Sequence, residues 1–167
     1  MKTLLTIVAG LVLAVALADA RAAGGGDGGG GGGGGGDKDF ATTDADYRAA
    51  MAAVKKKSWD QVIAPMTAFV QRHPESTDAW TELGHAYRKI GDMDNSFKHY
   101  EKALQVDPKH KGAHEYLGEA YLQVGDLPRA EQELRKLDSI CFLPCEQYND
   151  LKEEIRRYKA THATASR

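Results

Sequence analysis

Two stretches of eight residues decide the fold: WTELGHAY at Trp80–Tyr87 and HEYLGEAY at His114–Tyr121. They lie 34 residues apart, and each carries a Leu-Gly pair followed three residues later by Tyr. Pro74 and Pro108 repeat the same spacing of 34 residues. A fixed internal period of this length is typical of stacked helix–turn–helix units, so the sequence predicts a solenoid.

The residues around these stretches indicate paired helices. Apolar residues recur at helical spacing, and short Gly, Asp and Pro segments separate the runs. Gly91-Asp92 and Gly125-Asp126 interrupt two of the units at the same position, and Asp92 can cap the helix that follows. Pro128 falls in the first turn of a predicted helix, where a missing N–H costs little. The period predicts three units: Thr43–Ser76, Thr77–His110 and Lys111–Pro144.

The pattern resembles the tetratricopeptide repeat family. The residues that carry the resemblance are Trp80, Leu83, Gly84, Tyr87, Tyr100, Ala103 and Pro108, then Leu117, Gly118, Tyr121 and Ala130. The resemblance implies an all-α solenoid of about three repeats over residues 41–163, closed by a capping helix at 145–160. Gly84 would let two helices approach closely, and the large apolar residues would fill the space between units. The first unit is degenerate, with Ala49-Ala50 in place of Leu-Gly.

The N-terminus has the features of a secretory signal peptide. Lys2 precedes an apolar run at Leu4–Ala18, and small residues follow at Ala18-Asp19-Ala20 and Ala20-Arg21-Ala22. The run is shorter than the roughly 20 apolar residues of a spanning helix. We therefore expect residues 1–20 to be removed. The mature chain would be secreted, in the periplasm, without stable membrane insertion.

The next segment, residues 21–40, is predicted to be a flexible linker. Residues 24–36 hold 12 of the 18 glycines of the chain. Glycine has no side chain to bury and loses the most backbone freedom on ordering, so this segment does not favour a packed structure. It is either a spacer or a low-complexity expansion without a role.

Charge and motifs limit the classes of function. The formal net charge is -2, which argues against a broad nucleic-acid surface. No Ser-His-Asp or Cys-His arrangement is evident, and no cofactor motif, so we predict a chain that is not an enzyme. His110 and His114 lack companions with zinc-like spacing, and we interpret the histidines as surface or groove residues rather than metal ligands.

The family resemblance also implies a binding surface, since first helices of successive units line a concave groove. Some relatives clamp a C-terminal carboxylate there, but Thr81 and His85 stand at the matching positions. The groove is predicted to be basic in the second unit and acidic in the third, which would favour a partner peptide or protein of mixed charge. The alternative is a merely solvated face. The predicted groove residues are Tyr47, Met51, Lys55, Thr81, His85, Arg88, Lys89, Glu115, Glu119 and Leu122.

Cys141 and Cys145 lie at the corner between the third unit and the capping helix. An exported chain meets an oxidising compartment, so we favour a structural disulfide. Redox activity and Cu(I) binding by the two thiolates stay open. The sequence therefore predicts a non-catalytic interaction module or scaffold in the cell envelope, with a periplasmic copper carrier as the alternative.

Overall fold

The computed structural model describes Phe40 and residues 43–143 and 145–164, and these residues form an all-α array without strands. The predicted signal peptide and nearly all of the predicted linker lie outside the described residues. Phe40, which the sequence assigned to the linker, packs edge-on against Phe69, with ring centroids 5.0 Å apart. The helices are α1 (Ala45–Lys55), α2 (Trp59–Arg72), α3 (Thr77–Ile90), α4 (Met93–Val106), α5 (Lys111–Gln123), α6 (Leu127–Ile140) and α7 (Glu146–Thr164).

The helices pair as the period predicts, with α1–α2, α3–α4 and α5–α6 forming the three units. The breaks within the second and third units share one chemistry. Gly91 and Gly125 have positive φ angles of 87° and 81°, a conformation that glycine adopts without steric cost. Asp92 and Asp126 then cap the next helices by accepting backbone N–H bonds of 3.1 and 3.0 Å.

The Leu-Gly motif has a steric explanation that differs between its two copies. A Cβ on Gly84 would lie 2.7 Å from Cδ1 of Tyr100, on the second helix of the same unit. A Cβ on Gly118 would lie 2.5 Å from Cδ2 of Leu151, on the terminal helix. The prediction that the glycine allows close approach is confirmed, but the element that approaches Gly118 most closely is α7.

Stacking of the units builds the core. Leu83, Tyr100 and Leu117 are all buried, and α2 packs on α3 as α4 packs on α5. Trp80 and Tyr87 are half-buried and lie against the ring of His99, at centroid distances of 5.8 and 5.1 Å. Because each pair of helices leaves one apolar side uncovered, the junctions between units carry much of the burial.

The contacts between helices also set the direction of curvature. The first helices of units two and three, α3 and α5, pack against each other, whereas the second helices, α4 and α6, do not pack to a comparable extent. The array therefore curves toward its first helices. We call the surface of α1, α3 and α5 on this side the concave face.

Helix α7 closes the array, as predicted, and extends four residues beyond the predicted end at residue 160. Leu151 and Ile155 are buried against α5 and α6, while Glu153 pairs with Arg156 at 2.6 Å on the solvated side. This division into one apolar and one charged face suits a terminal cap. Among the helices of the described residues, none is long and apolar enough to span a membrane.

Candidate functional site

The concave face is the candidate site, and the ten residues predicted to line it differ widely in exposure. Only two of them are exposed, so much of the predicted surface is interior. The buried residues are Tyr47, Thr81, His85, Arg88 and Glu115; the half-buried ones are Met51, Glu119 and Leu122; the exposed ones are Lys55 and Lys89.

In the first unit, Tyr47 is part of the hydrophobic core rather than of an open groove. Its ring lies 4.9 Å from that of Phe69, and Met51 packs against the same cluster. The prediction of an accessible Tyr47 is therefore corrected. The equivalent positions of the other units, Thr81 and Glu115, are buried as well, so this position faces the interior in all three units.

Thr81 belongs to the junction between units two and three. Its hydroxyl donates to the carbonyl of Thr77 at 2.9 Å and lies 3.4 Å from Nδ1 of His110. His110 in turn caps α5, because its Nδ1 accepts the N–H of Ala113 at 3.1 Å. Nε2 of His110 then donates to Asp78 at 2.6 Å. Thr81 is therefore buried in the junction and its hydroxyl bonds within the chain.

His85 occupies the centre of the concave face, where three units meet. Its ring lies between Trp59 of α2, at 4.8 Å, and Tyr116 of α5, at 4.5 Å. The residue is 4% exposed, and neither ring nitrogen has a hydrogen-bond partner. The nearest acid is Glu82, whose Oε2 lies 3.8 Å from Nδ1 and also lacks a hydrogen bond. Buried polar groups are normally bonded, so this pair is exceptional.

Two cations flank the same aromatic residues. Nζ of Lys89 lies 5.8 Å from the Trp59 ring, and the Arg88 guanidinium lies 5.7 Å from the Tyr116 ring. Trp59 and Tyr116 were not among the predicted site residues. In the sequence, both occupy positions typical of residues that pack between helices. Only the stacking of three units brings them together around His85.

Arg88 and Glu119 form an ion pair across the junction of units two and three. Nη2 of Arg88 lies 2.5 Å from Oε2 of Glu119, and the side chains are 9% and 21% exposed. The prediction of an open basic middle is therefore corrected at Arg88, whose charge Glu119 already balances. Lys89 and Lys55 stay available as exposed cations.

Glu115 lies one turn before Glu119 and is only 6% exposed. Burial raises the pKa of its carboxyl to about 8, assisted by the negative charges of Glu119, Asp150 and Glu146 and opposed in part by Arg88. Glu146 and Asp150 were not predicted as site residues. They are four residues apart on α7, a spacing that places them on one helix face, but their approach to α5 depends on tertiary packing.

The disulfide between Cys141 and Cys145 confirms the predicted pairing. The sulfurs are 2.07 Å apart and the Cα atoms 5.9 Å apart, and the bond joins the end of α6 to the residue before α7. In this form neither cysteine offers a thiolate to a metal. The corner displays Phe142, which is fully exposed, and Leu143, which is 71% exposed.

The interpretation of the histidines as surface or groove residues is wrong for His110 and His114, which are both buried. His114 lies 2.7 Å from Glu133 through Nδ1 and 2.9 Å from the carbonyl of Pro108 through Nε2. Across residues 43–143 and 145–164, no cluster of three or more His, Cys, Asp or Glu side chains could hold a metal ion.

Comparison with known proteins supports the architecture. Two tetratricopeptide repeat models match residues 77–110 and 99–132. The second match runs from α4 into α6, so together the models cover the second unit and much of the third. No curated protein matches the chain.

Several solved structures share the fold. The type III secretion chaperone SycD of Yersinia enterocolitica, in complex with a peptide of the translocator YopD, has a TM-score of 0.60 and 16% identity, covering 73% of this chain and 92% of that one. The Sgt2 repeat domain of Aspergillus fumigatus gives 0.61 and 21%, covering 70% and 76%. The second repeat domain of human RPAP3, bound to an HSP70 peptide, gives 0.60 and 17%, covering 66% and 92%.

The paired helices, the Leu-Gly motif and the family matches define one class of protein. Residues 77–132 of this chain match tetratricopeptide repeat models, and the described helices share the fold of solved repeat domains. Its domain is a non-catalytic helical scaffold, in agreement with the prediction that the chain is not an enzyme.

Proposed function

We propose that this protein is a non-catalytic interaction module that binds a segment of a partner protein or peptide on its concave face. The observation that supports this most directly is the half-buried pair of aromatic rings, Trp59 and Tyr116, which lie on either side of His85 beside the exposed cation Lys89. The half-buried rings of Trp59 and Tyr116 would flank the bound segment.

The rigidity of the array favours this mode of binding. Packed helices hold the side chains of the concave face in place before a partner arrives, so the protein loses little conformational entropy on binding. The peptide complexes of SycD and of RPAP3 support a peptide segment as the partner. Because Thr81 is buried in the junction between units, a clamp for a terminal carboxylate has little support at the matching positions.

Photocrosslinking in living cells tests the binding face. A photoreactive residue in place of Lys89, which is exposed on α3, is expected to capture a defined partner. The matched control replaces Lys102, which is exposed on the second helix α4 and is expected to capture none. Equal capture from both positions, or capture from Lys102 alone, would contradict binding on the concave face.

We further propose that the module is secreted and acts in the periplasm of a bacterial cell envelope. The sequence of residues 1–20 supports this location, with its charged start, apolar run and small residues before the cleavage point. Fractionation of expressing cells and N-terminal sequencing of the mature chain test it. A chain that stays in the cytosol with Met1 intact would contradict the proposal.

A further inference from the structure

Two buried charged groups near the junction of the second and third units, Arg88 and Glu133, are paired within the chain, and Glu115 differs from them. Arg88 meets Glu119 at 2.5 Å, and the buried carboxylate of Glu133 meets His114 at 2.7 Å and Lys136 at 2.9 Å. Burial alone would raise the pKa of Glu133, but the hydrogen bonds from His114 and Lys136 bring it below its usual value. These pairs follow the general rule that a buried charge requires a partner.

Glu115 is the exception. The residue is 94% buried and makes no hydrogen bond or ion pair with the residues that the structure describes, so its carboxylate oxygens depend on the remaining access to solvent. The contrast with Glu133 is direct, because both carboxyls are buried on neighbouring helices and only one is paired. The fold gives Glu133 partners for its carboxylate but gives none to Glu115.

The surroundings of Glu115 are acidic. On α7, Leu151 covers Gly118, which lies three residues after Glu115 on α5. This contact brings the turn before Leu151 near Glu115, so that Asp150 and Glu146 act on its carboxyl together with Glu119. The one cation that acts on it, Arg88, is already paired with Glu119. We call Glu115, Glu119, Glu146 and Asp150 the acidic subsite.

We propose that Glu115 anchors a cationic side chain, arginine or lysine, of the partner segment bound on the concave face. The inference rests on the proposed function and specifies the chemistry of the partner. An arginine–carboxylate pair of this kind already exists one turn away. There the guanidinium of Arg88 on α3 contacts Glu119, which lies on α5 four residues after Glu115. A second cation from outside would give Glu115 the partner that the chain withholds.

The subsite also orients the partner segment. Its residues belong to α5 and α7, while the exposed cations Lys55 and Lys89 lie at the ends of α1 and α3. A segment with a basic residue toward α7 and an acidic residue toward α1 would match both ends. Ionisation of Glu115 accompanies binding of the cation, and its proton passes to solvent.

Selection from a library of random linear peptides tests the inference on the mature chain at neutral pH. We expect the selected peptides to share a position with Arg or Lys. Glu115→Gln should weaken the best of them about tenfold, the effect of losing one charged hydrogen bond. The matched control Glu101→Gln removes an exposed carboxylate from α4 and should leave the affinity unchanged. Exchanging the basic residue of the peptide for Gln should weaken binding to the natural chain but not to E115Q.

The exchange in the peptide keeps the test valid even where E115Q folds poorly, because it uses the natural chain alone. Selected peptides without a shared basic position, or peptides that bind equally with Gln in its place, would overturn the acidic subsite and leave the concave-face function standing. If no selected peptide were sensitive to Lys89→Glu, the proposed binding face would itself be refuted, and the subsite with it.

Discussion

Replacing Glu115 by Gln should stabilise the fold at alkaline pH and change little in acid. The folded state raises the pKa of this carboxyl from 4.5 to about 8, because burial and the neighbouring acids disfavour its charge. Between these two values the folded chain holds a proton that the unfolded chain has released. The stability of the natural chain therefore falls as the pH rises through this interval.

The magnitude follows from the two pKa values. At about 1.4 kcal/mol per pKa unit, the interval from 4.5 to about 8 corresponds to about 5 kcal/mol. The carboxyl lies at the rim of the concave face, where its neighbours can rearrange and water can screen the charge, so we expect roughly 2 kcal/mol of it to be realised. Gln has the shape of the protonated acid and never ionises, so E115Q avoids this cost.

Urea unfolding followed by far-UV circular dichroism measures the effect. We expect the two chains to be equally stable near about pH 4 and E115Q to be more stable by roughly 2 kcal/mol near about pH 9. In thermal unfolding the latter difference corresponds to about 8 °C. Glu101→Gln, on the exposed face of α4, controls for the loss of one negative charge.

The comparison isolates Glu115 because both chains keep the other charged groups that face it, which are Glu119, Asp150, Glu146 and Arg88. A stability difference that does not grow with pH would refute the reasoning. It would mean that the carboxyl is ionised in the folded state without penalty, and the argument for an unpaired acid would be lost with it.

Three further changes test the packing. Gly84→Ala should lower the free energy of unfolding, measured in urea, by about 1–3 kcal/mol, because the new Cβ would lie 2.7 Å from the buried Tyr100 ring. Gly112→Ala is the matched control. Its nearest contact would be 3.5 Å away, so it should be neutral or stabilising by up to about 1 kcal/mol. Arg88→Ala should cost about 2 kcal/mol, and a double-mutant cycle with Glu119→Gln should show coupling between the two sites; additive losses would contradict the ion pair. Cys141→Ser should lower the free energy of unfolding by at most about 2 kcal/mol. It should also increase amide hydrogen exchange in the terminal helix α7 but not in α3, and a uniform increase would show that the disulfide does more than hold α7 in place.

The repeat architecture could be read from local signals. The Leu-Gly motif, Gly91-Asp92 and Pro108 recur because each unit must turn and cap its helices in the same way, and these requirements are local to the chain. Pairing of Cys141 with Cys145 followed for the same reason, since the two lie at one corner. Turns, helix caps and short disulfide loops depend on residues that are close together in sequence, so the sequence alone predicts them.

The candidate site could be read only in part. The alignment of repeats placed His85, Arg88 and Glu115 on the first helices, but it could not show that packing of the next unit buries all three. Exposure depends on side chains that arrive from other units, such as Trp59 and Tyr116 around His85. The sequence therefore identified the face and overestimated how much of it is open.

The sequence by itself determined the period, the helices and their breaks, because those depend on contacts within a few turns. Only the tertiary structure decided which charges are satisfied. Arg88 pairs with Glu119 across a unit junction, and the charges of Asp150 and Glu146 act on Glu115 because Leu151 packs over Gly118. The free energy of a buried charge depends on every neighbour within several ångströms, and those neighbours come from distant parts of the chain.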